Sequence, residues 1–242
     1  MNQNVLPNHN DSKEKQQQVE EMFDRISVNY DRLNRIITFG MYVRWQKKVA
    51  QLVEKESPRM ILDLATGTAD FAIAVSHLPK VKIIGVDISK KMLGIGHLKV
   101  QNANLQKVID LQVGSAESLN FKDETFEVVI VSFGLRNFQN LDKALKEIFR
   151  VIKKGGCLIA LETSRPNNWF INQMYQFYTV SIMPFITNLL FQEKLAYRYL
   201  SNSALSFLSS KQLIEIKKNT GFVSVDFKPQ LWNISGIYIS RK

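Results

Sequence analysis

Two kinds of hydrophobic period divide this chain. In the N-terminal part apolar residues recur at helical spacing: Val19, Met22, Phe23 and Ile26 fall on one face, and Tyr30, Leu33 and Ile37 continue it. A further helix is predicted over 42–55, closed by Ser57-Pro58 because the residue before a proline avoids the helical region. Beyond residue 58 short apolar runs alternate with helical ones. "RMILDLATGTADFAIAVSHL" reads as strand, glycine turn, helix, and "VKIIGVDISKKMLGIGHLKV" as strand, acidic exit, helix. "VIDLQVGSAESL" is a shorter strand and turn, and "CLIALETS" a fifth strand. Between them, "FEVVIVSFGLRNFQNLDKALKEIFRVIKKGG" gives strand, loop, helix and Gly-Gly turn. Its run 128–133 is what a strand buried on both faces looks like. Its helix sets Leu141, Ala144, Leu145, Ile148 and Ile152 on one face and Lys143, Lys146, Arg150 and Lys153 on the other. The alternation predicts βαβ units, hence an α/β fold on a parallel sheet.

Residues 166–205 break that rhythm. No charged residue lies between Arg165 and Glu193, and Ile171, Tyr175, Tyr178, Ile182, Phe185 and Leu189 recur at 4-3-4-3-4 spacing. Phe170, Met174 and Phe177 add a second apolar row, so this helix is either buried or meets something greasy. Gln173, Gln176, Ser181, Pro184 and Asn188 interrupt it too often for a transmembrane span. "SSKQLIEIKKNTGF" then forms a compact helix, with Ser209 and Gln212 as a capping box and Gly221 as its stop. "FVSVDFK" and "SGIYISRK" finish as a hairpin-like pair of strands. The organisation read from this is a disordered tail (1–12) before a single domain (13–242). That domain comprises a helical cap (13–57), an α/β core (58–165), an apolar insertion (166–205) and a closing helix with two strands (206–242).

Composition narrows the chemistry. Cys157 is the lone cysteine of 242 residues, which excludes an internal disulfide and a thiolate metal site and leaves it a buried packing role. His9, His77 and His97 lack metal-ligand spacing, so no metal is expected. Residues 1–20 hold no apolar signal segment, and a cytoplasmic setting is expected. The net charge of +10 admits nucleic acid, an anionic membrane surface or simply solvated lysines.

The strand exits carry the chemistry. The first, Asp63-Leu64-Ala65-Thr66-Gly67-Thr68-Ala69-Asp70, follows a strand and opens a helix, as a nucleotide-binding loop does. Gly67 lets the backbone approach a ligand, and Thr68 offers a hydroxyl and an N–H at the helix start. The turn lacks the glycines of a dinucleotide fingerprint and the Gly-Lys-Ser/Thr of a P-loop. Asp87 ends the second strand, where an acid accepts hydrogen bonds from ribose hydroxyls. Gly114, Ser115, Ala116 and Glu117 follow the third strand, where an adenine edge would lie, and Ser132 ends the fourth. Four exits facing one crevice, without phosphate chemistry, point to S-adenosylmethionine held by Gly67, Thr68, Asp87, Ser115, Ala116 and Ser132.

"MFDRISVNYDRLNRIITFGMYVRWQKK", "ILDLATGTAD", "GVDISKKML", "GSAESLNFKDETFEVVIVSFGLRNF" and "ALKEIFRVIKKGGCLIALETSRP" together closely resemble the ubiquinone/menaquinone biosynthesis C-methyltransferase family. The resemblance runs from about Lys13 to the end, and "MFDRISVNYDRLN" and "FGLRN" are its most specific parts. It implies a Rossmann-like class I methyltransferase with a seven-stranded, mostly parallel sheet and helices on both faces. The implied reaction is C-methylation of a polyprenylated hydroquinone: demethylmenaquinol to menaquinol, or alternatively the benzoquinol precursor of ubiquinone. On this reading Arg136 stabilises the developing phenolate and Asn137 orients the hydroxyl, while Tyr30 and Asp31 serve proton transfer or substrate placement. The insertion would line a channel for the polyprenyl tail or rest on the bilayer, placing the protein peripherally on the inner face of the plasma membrane. Two departures stand out: Ala69 where the family usually has glycine, expected to tighten cofactor access, and Leu161-Glu162-Thr163-Ser164 for its "LEFS". A nucleic-acid methyltransferase is disfavoured, because no Asn/Asp-Pro-Pro-aromatic loop follows the fourth strand and no cysteine pair is present. A non-catalytic relative is disfavoured by the intact rim and the Arg136-Asn137 exit; a homodimer is compatible with the sequence.

Overall fold

Aliphatic and β-branched runs form the strands, and amphipathic segments form the helices that cover them. The computed structural model describes residues 5–190 and 193–242. Helices α1 (Lys15–Ile26), α2 (Tyr30–Ile37) and α3 (Met41–Lys55) come first. The alternating core follows as β1 (Met60–Leu64), α4 (Asp70–Val75), β2 (Lys82–Asp87), α5 (Lys90–Asn102), β3 (Ile109–Val113), β4 (Phe126–Ser132), α6 (Leu141–Val151) and β5 (Ile152–Thr163). The insertion is α7 (Trp169–Phe177), a π-helical turn (Tyr178–Ile182), α8 (Met183–Leu190) and α9 (Lys194–Ser206). The chain closes with α10 (Ser210–Thr220), β6 (Ser224–Gln230) and β7 (Ser235–Arg241).

The seven strands lie in the order β3-β2-β1-β4-β5-β7-β6, parallel except for β7, which runs antiparallel to both neighbours. The order reverses between β1 and β4, where Leu64 pairs with Val131. In an open α/β sheet that reversal opens a ligand crevice beyond the carboxyl ends of the strands. Helices cover both faces: Trp45 and Val49 of α3 and Phe71 of α4 pack on Ile61, Val128 and Ile130, while Leu145 and Ile148 of α6 and Leu213 of α10 pack on Leu62, Val129 and Leu158. A third cluster joins Val19, Met22, Ile26 and Leu33 of α1 and α2 to Met92, Met183 and Tyr197. It sets the first two helices as a roof above the strand exits.

Three expectations change here. The tail predicted to be disordered over 1–12 is, in its described part, tied down, with the Asn8 N–H donating to Gln18 Oε1 at 3.0 Å; residues 1–4 lie outside the described residues. Ile152, placed on the face of the preceding helix, is instead the first residue of β5. The apolar stripe of the insertion is split, because the π-helical turn inserts one residue and rotates the helix by about a quarter turn. Ile171, Tyr175 and Tyr178 face inward, whereas Thr179 within the turn and Met183 and Thr187 after it are buried, and Phe185 and Leu189 stand 70% and 74% exposed.

Candidate active site

At the exit of β1 the buried Asp63 accepts hydrogen bonds from Thr66 Oγ1 (2.6 Å) and the Ala72 N–H (3.0 Å), pinning the turn to the start of α4. Burial pushes its carboxyl up to about 7. The turn passes through left-handed conformations at Ala65 (φ 56°), Gly67 (φ 56°) and Ala69 (φ 66°), and Phe133 at the exit of β4 shares the feature (φ 55°). Positive φ outside glycine costs energy and concentrates where the backbone must meet a ligand. Gly67 turns its N–H to Asp87 Oδ2 (2.8 Å), and Oδ1 of that carboxylate takes the Ser89 N–H (2.8 Å). Ile88 adds a third backbone donor, which leaves the carboxylate some acceptor capacity, and burial raises it to about 6, so it gains from a further donor.

Gly67, Asp87, Ser115, Ala116 and Ser132 border one crevice, as the sequence predicted. Ser132 Oγ is buried and has no partner among the described residues. A carboxylate with spare acceptor capacity, a left-handed glycine and an orphaned hydroxyl suit a ribose and its adjoining chain. The donor set therefore fits S-adenosylmethionine. Thr68 departs from its expected role: its hydroxyl is buried away from the crevice, donating to Asp31 Oδ1 (2.6 Å) and accepting from Lys99 Nζ (3.1 Å). Asp31 also receives Lys99 Nζ at 2.8 Å, so it is a clamp between roof and turn rather than a group facing substrate. Nor does Ala69 narrow the crevice, since its methyl lies in the core beside Gly96.

Polar contacts hold the roof to the strand exits. Ser115 Oγ donates to Gln16 Oε1 (3.0 Å), Ser89 Oγ to Asp24 Oδ1 (2.6 Å), and Thr68 to Asp31. Gln16, Val19, Phe23 and Tyr30 form its underside. Sequence reading missed Gln16 and Asp24, because a polar residue on an amphipathic helix looks solvated until something is seen to cover it.

Beside the crevice lies a second, larger cavity of about 740 Å³. Its walls are mainly apolar, from Ile37, Met41, Trp45, Ile171, Met174 and Tyr178, and its mouth carries the exposed Phe39, Phe170 and Trp232. Tyr30 and Phe133 border both cavities. Arg136 lines the larger one; its Nη1 donates to Glu162 Oε1 (2.5 Å) and to the Phe133 carbonyl (3.0 Å), and its guanidinium sits 5.6 Å from the Phe133 ring centroid. Glu162 is 0% exposed and also takes the backbone N–H and hydroxyl of Thr163. Burial works against the Arg136 charge, but Glu162, together with Tyr30 and Tyr199, more than offsets it and the pKa rises. Arg136 Nε remains buried without a partner among the described residues. Burial also pushes up the Tyr30 and Tyr199 phenols, which suits them to neutral hydrogen bonding rather than to base catalysis.

Asn137 departs from its expected place. It borders the crevice, and its amide is engaged on both ends, Nδ2 donating to the Phe133 carbonyl (3.2 Å) and Oδ1 accepting from Tyr199 OH (3.2 Å). Glu162 was the group to find in the sequence, an acid closing the otherwise apolar "CLIALE".

Residues 10–242 match the ubiE/COQ5 methyltransferase family. The chain belongs to that family. It is 36% identical to a Bacteroides fragilis demethylmenaquinone methyltransferase over 239 residues, covering 98% of this chain and 97% of the relative. It is 40% identical to the Thermotoga maritima demethylmenaquinone methyltransferase over 220 residues, covering 90% and 93%. Solved structures of the same fold include a SAM-dependent methyltransferase of Thermotoga maritima, described as a possible histamine N-methyltransferase (TM-score 0.65, 21% identity, 93% of this chain and 99% of that one). The [4+2]-cyclase SpnF is another (TM-score 0.68, 17% identity, 93% and 95%). A cyclase among them shows that the sheet alone does not set the reaction. Family membership does: this chain is a methyltransferase, and S-adenosylmethionine is its methyl donor.

Proposed function

We propose that the protein methylates a ring carbon of demethylmenaquinol, giving menaquinol, with S-adenosylmethionine in the crevice and the quinol in the apolar cavity. The observation that carries this reading is the junction: Tyr30 and Phe133 wall both cavities, and Arg136 stands at that wall with an unpartnered Nε–H. S-adenosylmethionine supplies an electrophilic methyl group when bound. Arg136, held charged by Glu162, stabilises negative charge on the quinol oxygen and so enriches the ortho carbon in electrons. That carbon would form its bond to the methyl as the methyl–sulfur bond breaks, S-adenosylhomocysteine leaving; its proton then passes to the quinol oxygen to restore the aromatic ring, with a net release of one proton to solvent. Tyr30 orients the ring edge, and Asn137, fixed by Tyr199, braces the wall on the cofactor side. Gly67, Asp87, Ser115, Ala116 and Ser132 hold the donor, and closure of the roof excludes water.

The exposed Trp169, Phe170, Phe177, Phe185, Leu189 and Trp232 support peripheral docking on a bilayer, from which a prenylated quinol would enter through the mouth of the cavity. No helix among the described residues is long and apolar enough to cross a membrane. The names of the relatives favour the naphthoquinol over the benzoquinol precursor of ubiquinone. Initial rates on both quinols, reduced and kept anaerobic, test the choice: demethylmenaquinol is expected to be the better substrate, and a faster benzoquinol would reverse it.

A further inference from the structure

Lys15 stands where two physical preferences oppose it. It is the first residue of α1, whose first turn holds no acid, so its charge meets the positive end of the helix dipole. It is also only 9% exposed, which costs a lysine its hydration. What it gains is a pair of carbonyls: Nζ donates to Arg136 O (3.1 Å) and Phe138 O (3.0 Å). These belong to the Leu135–Asn137 turn and its cap, the segment that presents Arg136 to the cavity. The neighbouring Gln16 donates its N–H to Gln139 Oε1 (3.1 Å) and accepts from Ser115, so the same helical turn touches the exits of β3 and β4 at once.

We infer that Lys15 is a positioning residue for methyl transfer: it clamps the backbone of the turn that carries Arg136, so that Arg136 is in place only when α1 is closed over the crevice. The inference rests on Arg136 serving the substrate as proposed above. Among the charged groups acting on the ammonium are Glu117, beyond the exit of β3, and Arg136 itself. Burial pushes the Lys15 ammonium down to about 8, Glu117 pulling it back and Arg136 adding to the fall. The clamp therefore weakens as pH rises through that value.

Lys15→Met and Lys15→Arg separate positioning from packing. The methionine keeps the length and apolar bulk without the donors, and the arginine keeps donors and charge. We expect Lys15→Met to lower kcat about tenfold to a hundredfold, the scale of a misplaced catalytic group, with cofactor affinity by calorimetry changed far less. Lys15→Arg should restore most of the rate and remove the fall in kcat expected of the wild type above pH about 8. Hydrogen exchange of the amides at residues 135–138 should be faster in Lys15→Met, a readout that needs no substrate. Wild-type turnover in Lys15→Met, or unchanged exchange in that turn, overturns the inference. A wild type that yields no methylated quinol overturns the substrate reading, and the exchange comparison still decides the role of Lys15.

Discussion

Glu162 and Arg136 make a buried ion pair at the wall of the larger cavity, and on the proposed mechanism its worth lies in placing Arg136 rather than in stability. Removing one partner of such a pair leaves an uncompensated charge and costs about 3–5 kcal/mol. Glu162→Gln is therefore expected to lose about that much stability in chemical denaturation, and to lower kcat/KM at least about a hundredfold as Arg136 loses its anchor. A variant with normal kcat/KM would detach the pair from catalysis. Asp87 gives a pH signature. As the proposed ribose acceptor, its carboxyl, raised to about 6 by burial, takes hydrogen bonds best when ionised. Cofactor affinity should be flat above that pH and fall as pH drops through it, by about tenfold per unit. Asp87→Asn should bind weakly and lose the dependence; calorimetry across pH checks both. That Asp87 and Ser132 border the crevice was legible in the sequence, because a polar residue ending an apolar strand has few reasons to be there. Thr68, Asp31 and Asn137 misled for the opposite reason. Each sits beside a functional position in sequence, but where a hydroxyl, carboxylate or amide points is settled by partners far away in the chain, Lys99 and Tyr199 among them.

At the scale of elements, the strands and the α6 stripe followed directly from period, since their partners are the sheet itself. The insertion did not. One extra residue in a π-helical turn rotates everything after it, and no local pattern in "YTVSI" announces that turn. The consequence is an outer face of α7 and α8 that is apolar and uncovered, with Phe177 63% exposed. The double substitution Phe185→Glu and Leu189→Glu is expected to abolish sedimentation with anionic vesicles while leaving cofactor affinity unchanged. Persistent vesicle binding would place the membrane contact elsewhere. The clamp between α2 and the first turn makes a separate prediction. Asp31→Ala removes charge-assisted bonds to Thr68 and Lys99 but leaves Lys99 paired with Asp70, so a loss of about 1.5–3 kcal/mol is expected by denaturation. A loss of cofactor affinity should accompany it as the roof loosens, and intact affinity would show that the roof is held by its apolar contacts alone.

Across the whole molecule, one sheet feeds two cavities that meet at Tyr30 and Phe133. The parallel core and the crevice bordered by its strand exits were written in the sequence as alternation and strand ends. The larger cavity was not, because it is enclosed by segments as distant as Ile37, Phe133, Tyr178 and Trp232, which only folding brings together. That arrangement sets a mainly apolar cavity, proposed for the greasy quinol, beside the crevice proposed for its methyl donor. The most direct test is transfer of an isotopically labelled methyl group from S-adenosylmethionine to chemically reduced demethylmenaquinone under anaerobic conditions, read by mass spectrometry. The predicted result is label on a ring carbon of menaquinone in the wild type and its loss in Arg136→Ala. Cofactor binding without label in the quinone, or label on a quinone oxygen, would contradict it.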